Sequence, residues 1–113
     1  MNREFVRLPE FEKCWGNLGL KEDDIVDLEI ALCLDPQRGD LVRGTGGLRK
    51  LRWPLLHRGK SRSIRVIYVD FAVYEKIYFI TAYTKKDKDN LTGGERNEIK
   101  KLIKLLEREL GGK

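Results

Sequence analysis

The sequence predicts an α+β fold: an N-terminal helical hairpin and a C-terminal helix packed on a small antiparallel sheet, in the order β-α-α-β-β-β-α. Three observations carry that assignment. Apolar residues recur at helical spacing up to Leu34, and Pro36 and Gly39 then stop the pattern. Between Leu48 and Thr84 the period becomes two, in segments rich in β-branched and aromatic residues. Behind Thr92 the helical period returns and holds to Leu110. Helices grouped at both ends of consecutive strands fit helices packed on an antiparallel sheet rather than alternating βαβ units. At 113 residues the chain reads as one domain over residues 1–113, with no internal repeat, linker or low-complexity tract.

Glu4–Leu8 (EFVRL) reads as a short opening strand. Leu8-Pro9 then opens a helix, with proline at a first-turn position where its missing N–H costs nothing. Phe11, Trp15 and Leu18 mark its apolar face, and Gly19 ends it. A second helix begins near Lys21, its early acids Glu22, Asp23 and Asp24 suiting the positive end of the helix dipole. Leu41-Val42 and Leu48–Trp53 read as strand, interrupted by Gly44-Thr45-Gly46-Gly47, a bulge or turn that needs positive φ. Ser63–Phe71 and Lys76–Thr84 are the clearest strands, and short connections make them antiparallel neighbours. The link PLLHRGKSRS is a long basic loop. Thr92-Gly93-Gly94-Glu95 is a capping box, and the helix behind it aligns Ile99, Leu102, Ile103, Leu106 and Leu110.

Charge is distributed unevenly. The net charge is +5, yet residues 1–40 hold 5 basic against 10 acidic side chains. Residues 41–69 hold 8 basic side chains (Arg43, Arg49, Lys50, Arg52, Arg58, Lys60, Arg62 and Arg65) and no acidic one. A solvated strand face usually mixes signs, so 29 residues without a carboxylate look instead like the footprint of a polyanion site. No apolar run approaches the roughly 18 residues of a membrane span. The charged start MNREFVRLPE lacks the apolar core of a signal peptide, so the expected location is the cytoplasm. Cys14 and Cys33 form no CxxC pair and read as reduced core thiols. With His57 the single histidine, neither a zinc site nor a Cys–His pair is predicted.

Strand alternation determines which cations can meet. In Leu48–Trp53, Lys50 and Arg52 point one way while Arg49, Leu51 and Trp53 point the other. Arg65 is the one charge within SIRVIYV, and Tyr83 and Lys85 share a parity on the last strand. With a matching register, Lys50, Arg52, Arg65, Tyr83 and Lys85 form one surface of four cations and a phenol. Leu51 and Trp53 would then pack beneath the helices. A one-residue slip would scatter the set. Two glycine motifs fail on their spacing. Arg58-Gly59-Lys60-Ser61 mimics the end of a P-loop, but the earlier glycine position is occupied by Pro54 and no helix follows. Gly44-Thr45-Gly46 lacks a third glycine, where Arg49 stands, so no dinucleotide fingerprint exists.

LPEFEK with Trp15, the block LDPQRGDLVRGTGGLRKLRW (Leu34–Trp53), RGKSRSIRVIYV (Arg58–Val69), and ITAYTK (Ile80–Lys85) trailed by Asp89-Asn90-Leu91 together resemble the RelE/HigB toxins of type II toxin–antitoxin modules. The likeness spans nearly the whole chain, and GTGGLRKLRW followed by GKxxxxRVIY is similar to the HigB-like branch. The resemblance implies a small RNase that enters the ribosomal A site and cuts mRNA. It also implies a cognate antitoxin, often with a helix-turn-helix, that neutralises the toxin and represses the operon with it.

By position, the family's basic residues correspond to Lys50 and Arg52, to Arg65, and to Lys85 or Lys86 after Tyr83. The chain departs from the RelE pattern at its end, where a long Glu95–Leu110 helix replaces a short tyrosine-bearing tail. The expected catalytic set is Lys50, Arg52, Arg65, Tyr83 and Lys85, with Arg49, Arg58, Lys60, Arg62 and Lys86 binding RNA. No metal, cofactor or membrane is expected, because a face without Asp or Glu offers Mg²⁺ no ligands. The RNA 2′-OH would attack the adjacent phosphate, leaving a 2′,3′-cyclic phosphate and a 5′-OH. Arg65 and Arg52 would stabilise the phosphorane, Lys50 or Lys85 would act as base at a pKa below about 10.4, and Tyr83 would donate a proton or stack on a base. A ParE-like toxin that inhibits DNA gyrase by protein contact, which generally lacks the full basic set, and a non-catalytic RNA-binding protein are the alternatives.

Overall fold

The computed structural model describes residues 2–55 and 62–112, with the side chain of Arg62 outside that set. The elements are β1 (Glu4–Arg7), α1 (Pro9–Asn17), α2 (Glu22–Leu34), β2 (Asp40–Leu41), β3 (Leu48–Leu55), β4 (Arg62–Phe71), β5 (Lys76–Thr84) and α3 (Gly93–Gly111). One 3-10 turn, Ala72–Tyr74, joins β4 to β5. The sheet runs β1-β5-β4-β3-β2. Helices and strands thus follow the α+β order expected from the sequence, with the strand expected at Leu41-Val42 found as a separate two-residue β2 at Asp40–Leu41. The sheet itself is mixed, not antiparallel. β1 lies parallel to β5, Glu4 beside Lys76 and Arg7 beside Phe79. The reason is connectivity: the β1 chain crosses the sheet through the whole hairpin and three strands before β5 arrives, so no tight turn dictates its direction.

Each face of the sheet has its own core. On one side Phe11 and Trp15 of α1 and Ile25, Leu28 and Leu32 of α2 meet Leu51, Leu55, Ile64, Val66, Tyr68, Ile77 and Phe79. Phe11 stacks on Phe79 at 4.8 Å and on Trp15 at 5.3 Å between ring centroids. On the other side Ile99 and Ile103 of α3 meet Leu48, Ile67, Val69, Phe71, Ile80, Tyr83 and Leu91. Both Leu51 and the partly buried Trp53 lie with the hairpin core, as alternation requires.

Local chemistry sets the ends. Gly19 ends the α1 turn at φ +75°, where its lack of a Cβ removes the penalty. The Gly44–Gly47 turn carries positive φ at Gly44, Gly46 and Gly47, and the buried Thr45 hydroxyl donates to Val42 O while accepting from Leu48 N. Gly39 has another constraint: a Cβ there would stand 2.9 Å from the Tyr68 ring and 3.1 Å from the Lys50 backbone. Thr92 caps α3 as expected, its hydroxyl accepting from Glu95 N at 3.1 Å while Glu95 Oε1 accepts from Thr92 N at 2.8 Å.

A bulge in β5 decides what reaches the α3 face. Tyr68 opposes Phe79 and Ile67 opposes Thr81, so Ile80 is an extra residue. Before the bulge Ile77 and Phe79 face the hairpin; after it the even-numbered Ala82 does, and Tyr83 turns to the α3 side. Without that insertion Tyr83 would share the face of Phe79.

Candidate active site

The register places Arg52 opposite Arg65, and Arg65 opposite Tyr83. These three residues therefore form a row across β3, β4 and β5 on the side of the sheet that carries α3. Burial along that face of β3 falls steadily: Leu48 is buried, Lys50 half-buried, Arg52 and Pro54 exposed. The helix covers one end of the sheet and leaves the cationic end open.

Two arginines directly opposite one another repel, a cost of up to about 1 kcal/mol in a sheet. Ser63 moderates it. Its Oγ accepts from Arg52 Nε at 3.2 Å and from Arg65 Nη1 at 3.3 Å, so both guanidinium groups converge on one oxygen. With both lone pairs engaged, the remaining hydrogen-bonding capacity of the Ser63 hydroxyl is as a donor. Lys50, two residues before Arg52 on the same face of β3, donates from Nζ to Asn90 Oδ1 at 3.0 Å, tying β3 to the segment between β5 and α3.

Tyr83 ends the row. It is 4% exposed, and its hydroxyl has no hydrogen-bond partner among the described residues. Burial pushes the phenol above its ordinary range, with the positive charges of Arg65 and Lys88 opposing that shift. The group is therefore a neutral donor at physiological pH. Lys88 Nζ sits 5.3 Å from the Tyr83 ring centroid and pairs with Glu95 Oε2. The pair raises the Lys88 pKa and lowers that of Glu95.

Lys50, Arg52, Arg65 and Tyr83 are thus brought to one face. Lys85 and Lys86 are not in the row: both are exposed in the turn after β5, which Thr84 and Asp87 close by mutual side-chain and backbone bonds. The turn ends strand alternation at Thr84, so parity no longer governs Lys85. Arg49 is on the opposite face, where Nη1 donates to Gly39 O at 2.8 Å and Gln37 O at 3.3 Å and fastens the chain leaving α2. Arg62 begins β4 opposite Leu55, while His57, Arg58 and Lys60 lie outside the described residues.

Ser63, Lys88, Asn90 and Glu95 are additions that sequence reasoning missed. Ser63 is uncharged, and Lys88 sits in the mixed run KKDKDN, which resembles a solvated surface. Nor is the site free of carboxylates. Glu95 enters it from α3, although it is committed to Lys88 and Thr92 N. Among the described residues, no three His, Cys, Asp or Glu side chains gather as metal ligands. Among them, too, no helix is long and apolar enough to cross a membrane.

Two comparisons bear on this arrangement. The family model described as the RelE toxin of the RelE/RelB toxin–antitoxin system matches residues 20–110. Among solved structures, E. coli toxin RelE, in a free form carrying two arginine-to-alanine substitutions, superposes with a TM-score of 0.60 at 13% identity. That match covers 87% of this chain and 97% of the other. At such identity the likeness is one of fold.

Proposed function

Because this chain belongs to the RelE family of toxin–antitoxin toxins, we propose that it is a ribosome-dependent mRNA endonuclease that cleaves without a metal ion. The observation that carries the reading is the Arg52–Arg65–Tyr83 row, aligned across three strands and open to solvent at Arg52. A phosphodiester on that row relieves the repulsion between the arginines and accepts their hydrogen bonds, bidentately where geometry allows. RNA carries its own nucleophile. The 2′-OH attacks phosphorus, the P–O5′ bond breaks, and the products are a 2′,3′-cyclic phosphate and a 5′-OH.

In this scheme Arg65 and Arg52, seconded by the Ser63 hydroxyl, stabilise charge as it grows on the phosphorane oxygens. The neutral Tyr83 phenol supplies the proton that the departing 5′-oxygen needs. Lys50 stands on the same face, two residues before Arg52, to take the proton from the 2′-OH. The nearby carboxylates are occupied by Lys88 and Thr84, which supports chemistry run by cations and a phenol. The expected setting is the ribosomal A site in the cytoplasm, and the expected partner of this HigB-like toxin is a cognate helix-turn-helix antitoxin.

Induced expression with and without the neighbouring reading frame, followed by mapping of mRNA 5′ ends, tests the reading. Cuts within translated messages are expected from the wild type and none from Arg65→Ala. Undiminished toxicity of Arg65→Ala would refute the site. Growth arrest with intact mRNA and inhibited gyrase would favour the ParE-like alternative.

A further inference from the structure

We propose that Lys88 is an additional phosphate-binding residue of this site, held in reserve by Glu95 until an RNA strand displaces the carboxylate. The inference rests on the RNA-cleaving reading and extends it to a residue outside the sheet.

Four observations converge. Lys88 Nζ stands 5.3 Å from the centroid of the Tyr83 ring, and Tyr83 ends the row that begins with Arg52 and Arg65. Its partner is an anion, whereas Lys50 across the site is met by the neutral Asn90 amide oxygen. An incoming phosphate therefore competes with Glu95 for Lys88 like for like.

Next, the helix start does not need the ion pair. Glu95 Oε1 accepts from Thr92 N at 2.8 Å, while Oε2 serves Lys88, so the capping box survives when Lys88 leaves. Finally, the two side chains are 35% and 39% exposed, a setting in which ion pairs are weak and readily exchanged. Charge balances in the exchange. Lys88 trades a carboxylate for a phosphate oxygen, and Glu95 turns its free oxygen to water.

The free protein on this view carries its own anionic stand-in. Such a device lowers affinity for stray polyanions, because each must displace Glu95, while the correctly placed strand recovers the lysine.

The test is a double-mutant cycle read as kcat/KM for mRNA cleavage in a purified translation system. Lys88→Gln should lower kcat/KM about tenfold or more, the scale of a charge-assisted hydrogen bond, and Lys88→Arg should retain most activity. Glu95→Gln, which keeps the capping acceptor, should raise kcat/KM several-fold. In the Lys88→Gln background the Glu95→Gln gain should vanish, since the released group is no longer there. Thermal melting checks that all variants are folded.

A Lys88→Gln variant as active as wild type overturns the inference. So does a Glu95→Gln gain that persists without Lys88, which would mark a general charge effect. Equal losses in both single variants overturn it too, since they would mark a purely structural pair. Arg65→Ala measured alongside keeps the two readings apart. If Arg65→Ala cleaves normally the cationic row itself fails, whereas an inert Arg65→Ala with additive Lys88 and Glu95 effects removes only the reserve lysine.

Discussion

The two faces of the sheet are built on opposite terms. Toward the hairpin, Phe11, Leu28, Leu32 and Phe79 are wholly buried, and the charges at the margin are matched, Arg7 holding both Glu22 and Glu29. Toward α3, half the surface is equally apolar, but the other half opposes arginine to arginine and buries a phenol whose hydroxyl has no partner among the described residues. The first face follows the rules for stability in its apolar core and in the paired charges at its margin. The second breaks two of them within one row, and strained or unsatisfied groups concentrate where function is. Variants should therefore separate cleanly, stability from one face and activity from the other.

The largest effect belongs to the hairpin side. Phe11 stacks on both Trp15 and Phe79, so Phe11→Ala removes a buried ring and leaves a cavity, at about 4 kcal/mol. Chemical denaturation should show the loss in full, and a change under 1 kcal/mol would mean that α1 packs only loosely. Next comes Arg65→Ala on the other face. It should reduce cleavage about 100-fold or more, comparable to losing a preorganised donor to a developing oxyanion. Its melting temperature should stay level or rise, because the variant relieves the repulsion with Arg52. A large drop in stability would show that Arg65 holds the sheet together.

The two buried tyrosines sharpen the contrast. Tyr68 faces the hairpin, where its hydroxyl donates to Pro36 O and accepts from Gly39 N, both at 2.9 Å. Tyr68→Phe strands those two backbone groups and should cost about 2 kcal/mol, with cleavage unchanged per folded molecule. Tyr83→Phe removes a hydroxyl that satisfies nothing among the described residues. It should leave stability intact and lower cleavage. Denaturation and cleavage assays on the pair suffice, and a reversed pattern would assign the functional face to the hairpin.

How much of this was legible in the sequence follows from the range of each signal. β5 and the Thr92–Glu95 cap matched because period two and a capping box are local. Parity put Lys50 and Arg52 on one face of β3, yet that Arg65 joins that face, directly opposite Arg52, depends on register. Tyr83 shares their face through the β5 bulge at Ile80, a non-local event that KIYFITAYT does not announce. Parallel pairing of β1 was equally hidden, as four residues carry no trace of a partner seventy positions away. Lys85 was misplaced by extending alternation past a turn that Asp87 closes, and Lys88 was missed because only the fold lays it on Tyr83.

The smallest effect concerns the margin between these worlds, at Glu95. Lys88, and then the Thr92 N–H, hold its carboxyl below the usual carboxylate range. A group with a lowered native pKa contributes stability that is present above its unfolded pKa of about 4.3 and is lost as pH falls through the native value. The wild-type melting temperature should therefore decline between pH 5 and pH 3 by slightly more than that of Lys88→Gln, in which Glu95 reverts toward ordinary titration. The difference is small because both partners are more than a third exposed to water that screens them. At neutral pH the two proteins should melt nearly together. Stability then barely registers the ion pair, and a cation that contributes so little to the fold is free to be taken by another anion.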